Sequence, residues 1–185
     1  MLVTLKMEKL SPSAILREDL SENELGISLR VCYNCSTCST ICPVALETGG
    51  KYNPRTIIQL ANFGMQEKLV EDLMPNVWDC TMCELCQEEC PQNVNLHETF
   101  IVVKNAAALS HNIPTSYTSE TKQVYENGKA VPLQPAIIKR REQLGLPESY
   151  NIDVKEIQTL MDMTPAKTIL IYEEKREATE TQEEK

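Results

Sequence analysis

Residues 53–75 read NPRTIIQLANFGMQEKLVEDLMP, and the pattern of this stretch decides the fold. Asn53 has a side chain able to cap a helix, and Pro54 suits the first helical position, where no amide hydrogen bond is lost. Ile57, Ile58, Ala61 and Met65 recur on one side of the helical period, with Gly64 as a stop. Leu69, Val70, Leu73 and Met74 repeat the logic in a shorter segment before Pro75. The stretch is therefore predicted to be helical and not a hairpin.

On either side of this insert the chain says nearly the same thing twice: VCYNCSTCSTICPV at 31–44 and DCTMCELCQEECPQ at 79–92. These runs contain all eight cysteines. The spacing C-x2-C-x2-C-x3-C-P is that of bacterial-type [4Fe–4S] proteins, in which the fourth cysteine ligates the other cluster. Two-residue gaps let three thiolates converge on three corners of a cube from one winding loop. The longer step to the fourth cysteine carries it around the turn, and the following proline prevents the backbone from continuing in the same geometry. One cluster is thus expected on Cys32, Cys35, Cys38 and Cys90, and the other on Cys80, Cys83, Cys86 and Cys42. Zinc sites would show C-x2-C pairs separated by a loop, and a disulfide framework is out of place in a reducing compartment. Both clusters would be closed, with no position left for a substrate. Side by side they form a path for electrons, and no catalytic residue is expected.

The residues between the ligands differ. The first run interleaves Asn34, Ser36, Thr37, Ser39 and Thr40, which can donate to sulfur, whereas Glu84, Glu88 and Glu89 accompany the second. Donors favour the more negative reduced cluster and carboxylates oppose it, so the Cys80/Cys83/Cys86 cluster is expected to have the lower potential, unless water screens those carboxylates. Trp78 is a candidate shield for that cluster or a plain core anchor, with Met82 and Leu85 sharing the task. His97 and His111 read as surface or capping residues, and no phosphate-binding glycine motif is present.

The formal charge of −9 and the lack of a basic stripe argue against nucleic acid. The triplet Lys139, Arg140, Arg141 is either a docking feature or a solvated helix face. The opening MLVTLKMEKL has no signal-peptide pattern, and the apolar runs FIVV and ILIY are too short to span a bilayer. A cytoplasmic protein is expected. Ser21 with Glu24 forms a capping-box signature, and Ser11 with Pro12 opens another candidate helix. Asn95 with Glu98 precedes a longer helix with Leu96, Phe100, Val103 and Ala107 on one face. Farther on, prolines punctuate short pieces, and TILIY at 168–172 is the one candidate strand. The organisation expected is an N-terminal extension at 1–20, the cluster domain at 21–110, a C-terminal extension at 111–172 and an acidic tail at 173–185. The C-terminal extension would lie on a partner or pack back on its own domain.

The paired runs, with GGKYNPR at 49–55 between them, LGISLRVC at 25–32 ahead and VPLQPAIIKRREQLGLP at 131–147 behind, resemble the iron–sulfur electron-transfer subunit (the C subunit) of the methanogen heterodisulfide reductase. The resemblance covers roughly residues 5–150. It implies a mainly α fold, an α-helical ferredoxin domain with two [4Fe–4S] clusters, inside a cytoplasmic complex of methanogenesis. In that family electrons come from a flavin-bearing A subunit, which bifurcates them from a hydrogenase or formate dehydrogenase. They continue to a catalytic B subunit whose CCG motifs serve reduction of the coenzyme M–coenzyme B disulfide. No CCG tripeptide occurs here. The alternative is a diffusible two-cluster ferredoxin or an adaptor of another oxidoreductase.

Overall fold

The computed structural model describes residues 28–131, 133–147 and 152–172. They are helix, turn and loop, with no strand among them. The chain divides into two compact units, one ending at Asn112 and the other starting at Ile113. The first unit contains both cysteine runs. Its helices are α1 (Thr37–Thr40), α2 (Pro43–Glu47), α3 (Pro54–Asn62), α4 (Leu85–Glu88) and α5 (Leu96–Leu109). A π-helical turn at Glu67–Glu71 and a 3-10 turn at Val77–Asp79 lie between α3 and α4.

The insert is helical, as its apolar period predicts. Ile57, Ile58 and Ala61 on α3 meet Phe100, Val103 and Ala107 on α5, and Leu69, Val70 and Val77 close the cluster. Full burial of each larger aliphatic or aromatic side chain contributes about 1.5–3 kcal/mol. The second half of the insert departs from the expected pattern. A π-helical turn stands there in place of a regular helix; Leu69 and Val70 are buried as the period predicts, while Met74 is 66% exposed. The end of α5 returns to this turn: the Asn112 side-chain amide donates to the carbonyls of Val70 and Glu71 at 2.9 and 2.8 Å. Trp78 in turn donates its indole N–H to the Asn112 carbonyl at 3.0 Å.

Capping explains where α3 begins. The Asn53 side-chain oxygen accepts from the Thr56 amide at 3.2 Å and from the Ser39 hydroxyl at 2.6 Å. The same Ser39 oxygen accepts from the Arg55 amide at 3.2 Å. One side chain thereby caps α3 and ties it to the first cysteine run. Asn53→Ala should destabilise the unit by about 1–2 kcal/mol, seen as earlier loss of cluster absorbance in anaerobic denaturant titration. Asn53→Asp, which keeps the acceptor, should lose much less. Asn95, by contrast, makes no side-chain cap for α5. The Asn95 amide donates to the Ser28 hydroxyl at 3.2 Å, and the His97 amide to the Gln87 side chain at 3.0 Å. This start is capped from elsewhere in the fold.

The second unit is helical too, with α6 (Thr115–Asn127), α7 (Pro135–Gln143) and α8 (Val154–Asp162), followed by α9 over 166–172. α6 packs on α8, where the Tyr125 hydroxyl donates to Asp162 at 3.3 Å and Gln158 to the Tyr125 carbonyl at 3.2 Å. Gly128 ends α6 at φ 66°, and a Cβ there would come within 2.9 Å of Ile152. The expected strand at 168–172 is corrected to helix. Its start carries a helix signal, because the Thr164 hydroxyl accepts from the Ala166 amide at 3.3 Å and Pro165 opens the first turn. Lys139 and Arg140 are exposed on α7, and Arg141 donates to the Pro147 carbonyl at 2.8 Å. The helices expected near Ser11 and Ser21 lie outside the described residues.

Candidate metal centres

Each cysteine run is a loop that winds into a single helical turn. Asn34 and Ser36 in the first run have φ of 59° and 74°, and Met82 and Glu84 in the second have 56° and 64°. Left-handed backbone costs a non-glycine residue about 1–2 kcal/mol, and such strain persists only where the surroundings enforce it. Its effect is to turn successive amides toward one side, a concavity suited to anionic sulfur. The Asn34 amide accordingly points at the Cys32 sulfur and the Met82 amide at the Cys80 sulfur, both at 3.4 Å. The short helices α1 and α4 then carry Cys38 and Cys86 and pack against each other.

Two cavities result. Cys32, Cys35, Cys38 and Cys90 line one. Cys42, Cys80, Cys83 and Cys86 line the other. Each cavity therefore holds three cysteines of one run and the last cysteine of the other. Cys42 caps α2, accepting from the Ala45 amide at 3.5 Å, and Pro43 opens that helix. Cys90 accepts from the Val94 amide at 3.4 Å. Cys35 and Cys83 are exposed, whereas burial, reinforced by Cys80, Cys38 and other neighbours, pushes the Cys86 thiol up to about 12. Burial also raises Cys38, while hydrogen bonding to Thr37 lowers Cys35.

The cavities match almost residue for residue. Arg55 and Ile58 on α3 line the first where His97 and Phe100 on α5 line the second, and Leu96 takes the place of Pro54. Two residues before those helices the match changes character: Val94 stands in the first cavity and Tyr52 in the second. Tyr52 is 1% exposed, and its hydroxyl has no hydrogen-bond partner among the described residues. Leaving such a group unsatisfied costs about 1–3 kcal/mol.

Sequence reasoning passed over Tyr52, and also Lys104, which is 9% exposed and donates to the Cys80 carbonyl at 3.0 Å. Burial lowers the Lys104 pKa, with the Cys80 sulfur acting against that. The lysine lies 5.7 Å from the Trp78 ring centre. Trp78 does not line the cavity, so its part is that of an anchor, while Met82 and Leu85 do line it. His97 is more than a surface histidine, since it lines the second cavity with its ring 3.5 Å from Glu84. Glu88 and Glu89 are exposed and lie off the cavity lining.

Among the described residues no three His, Cys, Asp or Glu side chains converge closely enough to hold a single metal ion; the thiols ring a volume instead. Eight thiols in two such rings, with amides directed at sulfur, fit polynuclear iron–sulfur clusters. Fold and site together define a mainly α dicluster protein of the ferredoxin kind, holding two [4Fe–4S] clusters. Residues 28–94 match the family described as 4Fe-4S dicluster domain. The chain is 33% identical over 153 residues, 80% of each chain, to the C subunit of the H(2):CoB-CoM heterodisulfide,ferredoxin reductase of Methanothermobacter marburgensis. It is 30% identical to the iron-sulfur C 2 subunit of the CoB--CoM heterodisulfide reductase of Methanocaldococcus jannaschii, over 80% of this chain and 77% of the relative. With the C subunit of the Ferredoxin:CoB-CoM heterodisulfide reductase of Methanosarcina mazei it shares 31% over 74% and 85%. The chain belongs to this family of heterodisulfide reductase C subunits, and is an iron–sulfur, electron-transferring component of an oxidoreductase.

Proposed function

We propose that this chain is the electron relay of a cytoplasmic heterodisulfide reductase complex, with one cluster on Cys32, Cys35, Cys38 and Cys90 and the other on Cys80, Cys83, Cys86 and Cys42. The observation that carries this reading is the lining of the two cavities, each completed by the last cysteine of the opposite run. Fully ligated [4Fe–4S] clusters exchange single electrons and leave no site for a substrate. The chain's own residues hold the two centres close together and leave each with one open edge. α1 and α4, which carry Cys38 and Cys86, pack against each other, and Cys35 and Cys83 are exposed. Clusters held by these two sets of cysteines would supply one-electron transfer, and Cys35 and Cys83 would be the ligands open to redox partners.

On this reading the donor is the flavin-bearing A subunit, supplied by a hydrogenase or formate dehydrogenase. The acceptor is the CCG-containing B subunit, where the coenzyme M–coenzyme B disulfide is reduced. Residues 111–172 serve as the partner-binding extension. Ile137, Ile138, Leu144, Leu160 and Met163 are exposed on this stretch and are the apolar side chains that a partner would cover. Among the described residues no helix is long and apolar enough to cross a membrane.

Anaerobic affinity purification of the tagged native protein, with a salt wash and mass spectrometry, tests the proposal. A flavoprotein and a CCG-containing polypeptide should remain bound, with activity toward the mixed disulfide. Recovery of the chain alone with both clusters loaded would overturn the relay role and make it a diffusible carrier.

A further inference from the structure

We propose that the Tyr52 hydroxyl donates a hydrogen bond into the cluster ringed by Cys42, Cys80, Cys83 and Cys86, and so raises the potential of that cluster alone. The inference rests on the ligand assignment proposed above. Tyr52 lines this cavity, is almost completely buried, and has a hydroxyl without a partner among the described residues. That hydroxyl lies beside the Cys80 sulfur, and a phenol O–H is a hydrogen-bond donor at neutral pH.

The backbone holds it there. Gly49 and Gly50 take φ of 61° and 84° with open space around each, so it is the left-handed turn after α2 that calls for glycine. The Thr48 hydroxyl then accepts from the Tyr52 amide at 3.1 Å and donates to the Val44 carbonyl at 2.7 Å. At the corresponding place in the other cavity Val94 offers no side-chain donor.

A donor to cluster sulfur stabilises the reduced form, which carries the extra electron, more than the oxidised form. Tyr52 therefore works against the carboxylate of Glu84 in the same cavity wall. Its effect is to narrow the potential difference that the two ligand loops would otherwise set, easing passage of electrons in the direction that must enter this cluster.

The test is an EPR-monitored redox titration of the purified, cluster-loaded chain. Tyr52→Phe removes one oxygen and should lower one midpoint potential while leaving the other unmoved. The midpoint that falls should belong to the cluster that Cys42→Ser disturbs. If Tyr52→Phe moves neither midpoint while Cys42→Ser still disturbs the second cluster, the tyrosine proposal is overturned and the ligand assignment stands. A shift confined to the cluster that Cys42→Ser leaves intact would overturn the ligand assignment itself. Should the phenylalanine variant fail to assemble, site-specific replacement of Tyr52 by 3-fluorotyrosine gives the opposite sign: the more acidic hydroxyl donates more strongly and should raise the same midpoint. An unmoved midpoint there also overturns the proposal.

Discussion

Cys42→Ser should remove or convert the cluster ligated by Cys80, Cys83 and Cys86 and leave the cluster of its own run intact, and Cys90→Ser should do the reverse. The expectation follows from the cavities, because Cys42 lies with the second run's three cysteines and Cys90 with the first run's. Serine isolates ligand loss from helix loss. It is a good N-cap, so it preserves the start of α2, where the Cys42 sulfur now accepts from the Ala45 amide. At position 90 a hydroxyl can still accept from the Val94 amide. The assignment is read by spectral matching: Cys42→Ser should lose the EPR signal lost in Cys83→Ser, and Cys90→Ser the signal lost in Cys35→Ser. About half the iron should remain in each variant if one closed cluster survives. If Cys42→Ser matches Cys35→Ser instead, the crossed arrangement is wrong.

Stripping iron with a chelator under anaerobic conditions should unfold much of the unit that ends at Asn112. α1, α2 and α4 are four or five residues long, and isolated helices shorter than roughly 12–15 residues are marginal in water. What would hold these turns is a cluster bound by the cysteines that line each cavity. The buried Cys42 packs within the core, with Cys32, Cys38, Cys80, Cys86 and Cys90 partly buried against it. Without metal, the strained left-handed residues of both loops have nothing to enforce them. Because the ligands form a site only in the folded chain, metal-binding free energy is folding free energy, on the order of 10 kcal/mol for structural zinc sites. Circular dichroism should show a large loss of helix, and amide exchange should quicken in α1, α2 and α4 first. α3 and α5, which share an apolar interface, should keep the most residual protection. An apo protein with unchanged helix content and exchange would refute the view that the clusters are structural members.

Much of this was legible in the sequence because it depends on local spacing. Ligand intervals within one loop are set by a few consecutive bonds, so two runs of four cysteines announce iron–sulfur chemistry wherever they occur. Asn53 and Pro54 mark the start of α3, and the periods of Ile57, Ile58, Ala61 and of Phe100, Val103, Ala107 identify the faces that meet. The error at 168–172 was also local: β-branched residues outweighed the Thr164–Pro165 helix start just before them.

The features that distinguish the two centres arise in three dimensions. The connection from Cys42 to α3 and the one from Cys90 to α5 differ in length, so no repeat in the sequence aligns Tyr52 with Val94; only the folded cavities do. Gln87 satisfies an amide of α5 that Asn95 leaves alone, and Lys104 reaches the Cys80 carbonyl from a helix far along the chain. Cluster chemistry and helical segments can be read along the chain, because both follow from short-range geometry. Which polar groups face each cluster, and so how the two centres differ, came from long-range contacts, because a hydrogen bond or a field at sulfur depends on groups that meet only when the chain is folded.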